Sequence, residues 1–286
     1  MSSSEDIIKR QIEWAKNAGI TLIRPTPASA REAYTLSLNE NFYQIPDPQT
    51  ISDIEGGDGG ELTAIGGNPA SIQAVHSSSA LPVNIFDYWK KSSNISTIAS
   101  SCGFCSSKAS IIGTVRYEQQ FPVDDSFERA PNLDVVLYPN NSRYSAFATE
   151  CKFTEPYSSR GHGGLSDKYL QLPAIWDGIP NLKNLAEQIS PDDDQFHHLH
   201  PAQLIRHILG LKMRYGKSGF RLLYLWYDAF GVSGHHHLEE ITEFSEIAKS
   251  DGVSFLHRTY QQVILNLSKH RAAHPDYTKY ITRRYL

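Results

Sequence analysis

The chain has 286 residues, of which 40% are hydrophobic and 20% charged, and it carries a net charge of −4 at neutral pH. That length buries a sizeable core, as one elaborated domain or two, and the apolar share excludes a mostly disordered chain. The negative balance argues against a protein coated for sequence-independent nucleic-acid binding, and no run of about 18 apolar residues offers a membrane span.

Ser4 to Ala18 reads as an amphipathic helix, with Ile8, Ile12 and Ala15 on one stripe and Gly19 as its stop. Residues 45–70, with Gly56-Gly57-Asp58-Gly59-Gly60 and Gly66-Gly67, read as a loop, and no strand-to-helix context makes them a phosphate cradle. Residues 70–98 read as largely helical, interrupted near Pro82. Thr114 to Phe121 reads as a strand carrying Glu118, which leads into an acidic turn with Asp124, Asp125 and Glu128. Two apolar, β-prone runs follow, Leu133 to Tyr138 and Ala146 to Lys152, separated by the turn Pro139-Asn140-Asn141-Ser142, so a hairpin is expected. Residues 156–200 read as an exposed connector. It begins with the loop Ser158-Ser159-Arg160-Gly161-His162-Gly163-Gly164, and its Asp192-Asp193-Asp194 and His197, His198 and His200 are explained by that polarity. Pro201 to Tyr215 reads as a helix with a core stripe of Leu204, Ile208 and Leu211. Gln203, Arg206, His207, Gly210 and Arg214 share another of its faces, where a solvated surface and a site margin are equally good readings.

Strand Phe220 to Tyr227, helix Leu238 to Lys249, strand Val253 to Leu256 and helix Thr259 to Lys269 complete an α/β alternation. His235-His236-His237 reads as a loop leading into the second of these elements, the helix from Leu238. At the C-terminal end Lys269, His270, Arg271, Lys279, Arg283 and Arg284 alternate with Tyr277, Tyr280 and Tyr285, as a solvated helix or a nucleic-acid-tracking surface would. Three cysteines make no disulfide framework, which fits a reducing compartment. Cys102-Gly103-Phe104-Cys105 has no second Cys-x-x-Cys, so core or loop thiols explain it better than zinc. With the polar start Met1-Ser2-Ser3-Ser4-Glu5-Asp6, a cytoplasmic location without membrane contact is expected.

The chemistry concentrates in the hairpin. Residues two apart in a strand face the same way, so Glu150 and Lys152 project together, and pairing across the hairpin brings Asp134 to the same end. Cys151 points to the opposite face with Phe147, Thr149 and Phe153. Two carboxylates and an ammonium at one sheet edge are costly in a core and useful around a divalent metal. Mg²⁺ takes hard oxygen ligands, and a metal polarises a phosphodiester and lowers the pKa of bound water. A neighbouring lysine can act as base or as electrostatic clamp, and the residues alone leave that open. A surface hairpin with an ion pair would look similar in sequence and would be worth little.

At Asp134 and Glu150-Cys151-Lys152, with Pro131 three residues before the first acid, the chain resembles the PD-(D/E)XK superfamily of restriction-endonuclease-like nucleases. The segment from His76 to Phe86 is similar to a His-Ser-Ser-x-Ala-Leu-x-x-Asn-x-Phe stretch in uncharacterised restriction-endonuclease-like proteins. The resemblance implies an α/β restriction-endonuclease-like core at residues 110–286, with a central mixed β-sheet flanked by helices. Residues 1–109 would pack on it as a helical and loop elaboration. It implies a nuclease hydrolysing DNA phosphodiesters to leave a 5′-phosphate, in restriction, defence or repair. Asp134 and Glu150 would hold Mg²⁺, with Mn²⁺ as substitute, while Lys152 and Gln203 would complete the catalytic set. His76, Asn84, Glu118, Arg206 and Arg214 are weaker candidates for contacts with double-stranded DNA, and a homodimer is compatible with the pattern. The alternative is a nuclease fold that has lost catalysis and binds DNA or protein.

Overall fold

In the computed structural model, which describes residues 2–25, 32–57, 60–158 and 161–286, the chain begins with α1 (Ser3–Asn17). Its capping box is reciprocal: the Ser2 hydroxyl accepts from the Glu5 N–H, and the Glu5 carboxylate accepts from the Ser2 N–H. Asp58, Gly59, Ser159 and Arg160, all in stretches the sequence marks as loops, lie outside the described residues. A short ladder joins β1 (Leu22–Ile23) to β2 (Tyr34–Thr35). The stretch expected to be wholly loop contains α2 (Pro48–Glu55), because Asp47 caps the Gln49 N–H and Pro48 occupies a position that needs no N–H. Pro82 does not interrupt α3 (Ala80–Lys91), since it falls in the first turn, where helix N–H groups have no partner to lose. The short α4 (Ile95–Ser101) follows.

A meander of β3 (Gly113–Gln120), β4 (Asn132–Pro139) and β5 (Ala146–Lys152) comes next. The connector contains β6 (His162–Gly163), the single-turn α5 (Asp167–Leu170), α6 (Pro180–Gln188) and β7 (Asp192–Asp193), and leads to α7 (Pro201–Tyr215). Then come β8 (Phe220–Trp226), α8 (Gly231–Ser250), β9 (Phe255–Thr259), α9 (Tyr260–Ser268) and α10 (Pro275–Tyr285). The sheet order is β3-β4-β5-β8-β9, with the meander antiparallel and β5, β8 and β9 parallel. This is the mixed α/β sheet flanked by helices that the sequence leads one to expect.

Strand alternation divides the core between the two sheet faces. Val135, Leu137, Phe147, Cys151, Leu223 and Leu225 pack against Ile85, Phe86, Trp89, Val263 and Tyr277, so the N-terminal helices and the last two helices cover that face together. Val136, Ala146, Ala148, Leu222 and Tyr224 pack against Leu182, Leu204, Ile208 and Phe244 from α6, α7 and α8. Glu150 and Lys152 are in step with Ala146 and Ala148, which puts them under α7. Gly210 lets α7 come this close, because a Cβ there would collide with the Phe121 carbonyl oxygen.

Three readings of polar segments are corrected. His235-His236-His237 is no loop: all three lie in α8, and His237 is fully buried. Asp192-Asp193-Asp194 is only partly an exposed connector: Asp192 and Asp194 are exposed, but β7 pairs with β6 and buried Asp193 accepts from the Gln195 and Phe196 N–H groups. The basic C-terminal segment is not wholly solvated either. Tyr277, Arg284 and Tyr285 are buried, and the Arg284 guanidinium donates to Asn41 O and Oδ1, Val75 O, Gln11 Oε1 and the Tyr280 hydroxyl.

Candidate active site

The regular ladder between β4 and β5 ends at Val135 opposite Thr149. One residue further the Asp134 side chain substitutes for backbone, its Oδ2 accepting from the Cys151 N–H at 2.6 Å. Asp134 is thereby fixed across from Glu150, as the alternation requires. Glu150 is 2% exposed, and its two oxygens face different partners: Lys152 Nζ at 2.7 Å from Oε1 and His207 Nε2 at 2.9 Å from Oε2. Cys151 turns into the opposite core, and Cys102, Cys105 and Cys151 are all free thiols.

The charges act strongly on one another. Burial, followed by the Glu150 and Glu118 carboxylates, pushes the Asp134 pKa well above its usual range, against Lys152 and the Cys151 N–H. Burial pushes Glu150 up too, but Lys152 and His207 outweigh it and hold its pKa down at about 2. For Lys152, burial favours the neutral amine, yet Glu150 and Asp134 raise its pKa further still. Lys152 is therefore an ammonium at neutral pH in the protein as it stands. That favours the clamp role over the base.

Lys152 lines a cleft of about 340 Å³ shared with Gln203, Glu155, His162, His198 and His200. Gln203 thus stands on its wall with Lys152, while Asp134 and Glu150 do not line it. The loop leading to α7 is fixed by Glu240, whose carboxylate accepts the N–H groups of His197, His198 and Leu199 at 2.9, 2.9 and 2.7 Å. Glu118 lies on the neighbouring strand, accepts from Asn132 Nδ2, and has a φ of 48°, an uncommon conformation for a residue with a side chain.

The weaker candidates scatter. Asn84 is buried away from the cleft, where it accepts from the Tyr43 N–H and donates to the Asn41 and Ala80 carbonyls, so it is a packing joint. His76 sits just before α3 and does not line the cleft. Arg214 lines a separate cleft of about 770 Å³ with Arg116 and Tyr138, while Arg206 lies close enough to His200 for its charge to be felt there. Sequence reasoning missed His207 as a partner of Glu150. Its signal was its position one turn after Gln203 on the helix that follows the Glu-x-Lys strand.

Beneath the cleft, His237 Nε2 lies 3.0 Å from the Tyr224 hydroxyl and Nδ1 lies 3.3 Å from the Tyr157 hydroxyl. Burial, followed by His198 and His162, lowers the His237 pKa from 6.5 to about 3. Between those values the unfolded chain binds a proton that the folded one does not, so acid removes stability there. The slope from this group approaches about 1.4 kcal/mol per pH unit. His237→Gln should flatten the fall of melting temperature between pH 6.5 and 4; an unchanged slope would remove His237 as its source.

A five-stranded mixed sheet flanked by helices, with an antiparallel meander followed by parallel strands, is consistent with a restriction-endonuclease-like core. The model of the family described as Restriction Endonuclease associating with ARP matches residues 9–286, and the chain belongs to that family. No curated protein and no solved structure matches the chain. Among the described residues no helix is long and apolar enough to cross a membrane.

Proposed function

We propose that the protein is a metal-dependent nuclease of the PD-(D/E)XK type that hydrolyses DNA phosphodiester bonds, acting in association with ARP. The observation that carries this reading is the convergence of Asp134, Glu150 and Lys152 at one end of the sheet, next to a cleft. Asp134 and Glu150 would hold Mg²⁺ or Mn²⁺. The fit rests on the chemistry of the donor set: hard carboxylate oxygens crowded enough that Glu150 and Glu118 repel charge on Asp134. Among the described residues no group of three or more His, Cys, Asp or Glu side chains is placed to hold a metal ion, so the protein would supply two ligands. One or two carboxylates with water and phosphate completing the shell is how Mg²⁺ is commonly held.

When bound, the ion would polarise the phosphate and make its water more acidic. Lys152 keeps Glu150 ionised and offers its remaining N–H groups to negative charge in the cleft. His207 supports Glu150 from the other side, and Gln203 orients what enters the cleft. The chain should cut linear or supercoiled DNA with Mg²⁺ or Mn²⁺ but not with chelator, and Lys152→Ala should retain metal binding while losing turnover. Failure of the wild type to cut any DNA or RNA with either metal would leave the non-catalytic binding module in its place.

A further inference from the structure

The helix cap at the cleft is a histidine. Ser, Thr, Asp or Asn is the usual residue at this position, because a short side-chain oxygen reaches the third N–H of the helix. In α7 the task falls to His200, whose Nδ1 accepts from the Gln203 N–H at 3.2 Å. A ring nitrogen that accepts a hydrogen bond carries no proton, so the proton of the neutral ring is on Nε2. Burial, His162 and Lys152 lower the His200 pKa to about 3, which keeps the ring neutral. The larger residue thus serves the cap with one nitrogen and has an N–H donor left on the other.

His200 lines the cleft with Lys152, Gln203 and His162. Lys152 gives one N–H to Glu150 Oε1 and has two more. The His162 ring meets His200 edge to face at 4.8 Å. Its hydrogen bond to the His197 backbone uses one nitrogen, while buried Nε2 has no partner among the described residues. A buried unpaired acceptor calls for a donor such as water or a sugar hydroxyl. Among the described residues one carboxylate, Glu155, lines this cleft, and its Oε2 accepts from the Phe153 N–H at 2.8 Å. A cation and a fixed neutral donor with an acceptor beside them suit a phosphate accompanied by a hydroxyl or water.

We propose that His200 and Lys152 form a phosphate-binding subsite in this cleft, with His200 Nε2–H donating to a phosphate oxygen. The occupant, a backbone phosphate of nucleic acid, rests on the nuclease reading; the phosphate chemistry does not. Nitrogen-15 NMR of the full chain should show His200 protonated at Nε2 only, and inorganic phosphate should perturb that signal. His200→Ser keeps a cap for Gln203 but cannot reach the cleft, so its melting temperature should match wild type. Its affinity for inorganic phosphate, and for a labelled DNA duplex in Ca²⁺, should fall about tenfold, the loss of one hydrogen bond to a charged group. Equal affinities in wild type and variant, or a His200 proton on Nδ1, would overturn the subsite. Phosphate binding lost in His200→Ser by a wild type that cuts nothing would overturn the nuclease reading and leave the subsite standing. Wild-type binding and cleavage by His200→Ser would do the reverse.

Discussion

Replacing Asp134 with Asn should leave the metal-free protein as stable as wild type or more so, while reducing cleavage by orders of magnitude. Opposite signs for stability and activity are expected because burial and the charges of Glu150 and Glu118 oppose the ionisation of half-buried Asp134. Asparagine keeps the shape and can still accept from the Cys151 N–H, the contact that ends the β4–β5 ladder. The pH dependence has a definite sign. The folded-state pKa of Asp134 lies above the unfolded value, so lowering the pH through the folded value stabilises the wild type relative to neutral pH. That gain disappears in Asp134→Asn. Mg²⁺ should raise the wild-type melting temperature by mass action and should not shift the variant. A variant that melts well below wild type, with neither protein responding to Mg²⁺, would make these charges structural.

Arg284→Ala should show the largest loss of stability, about 3 kcal/mol or more, the scale for breaking a buried network of bonds to a charged group. Arg284 is 4% exposed and its donors meet only neutral acceptors: Asn41 O at 2.8 Å and Oδ1 at 2.5 Å, Val75 O at 3.1 Å, Gln11 Oε1 at 3.3 Å and the Tyr280 hydroxyl at 2.6 Å. The guanidinium also stacks over Trp14, 4.2 Å from the ring centre. Removing it strands several buried acceptors at once. Urea unfolding measures the loss, and hydrogen exchange should locate it in α1 and around residues 41–75. A change below about 1 kcal/mol would mean that water replaces the guanidinium at little cost.

The hairpin was legible because strand periodicity is exact over short runs: Glu150 and Lys152 must share a face, and Asp134 follows from antiparallel pairing. The sheet and most of its covering helices were legible for the same reason, with Gly19 marking the end of α1 and Thr259 the start of α9. By contrast, α2 and α6 fell in stretches that read as loop and connector. What escaped was long-range. His207 and Glu150 are 57 positions apart, and only the packing of α7, with Gly210 against Phe121, brings them to 2.9 Å. His237 reads as polar in sequence, yet tyrosine hydroxyls at both ring nitrogens allow it to be buried. Asn84 lies in a segment that left a packing role and a site role open, and only its long-range partners, the Tyr43 N–H and the Asn41 carbonyl, show that it clamps backbone.

The Arg284 network also sets an order of assembly. Gln11 donates to the Arg284 carbonyl across 273 residues, and Asn41 and Val75 wait on the same side chain. The meander and the parallel strands can pair once residues 113–259 have left the ribosome, but the layer built from residues 3–101 has no completed partner until α10 emerges. Loop closure over such a span is slow compared with local pairing. During synthesis the N-terminal helices should therefore remain open to proteolysis after the sheet has become protected, and the nascent chain should gain its final resistance in one late step.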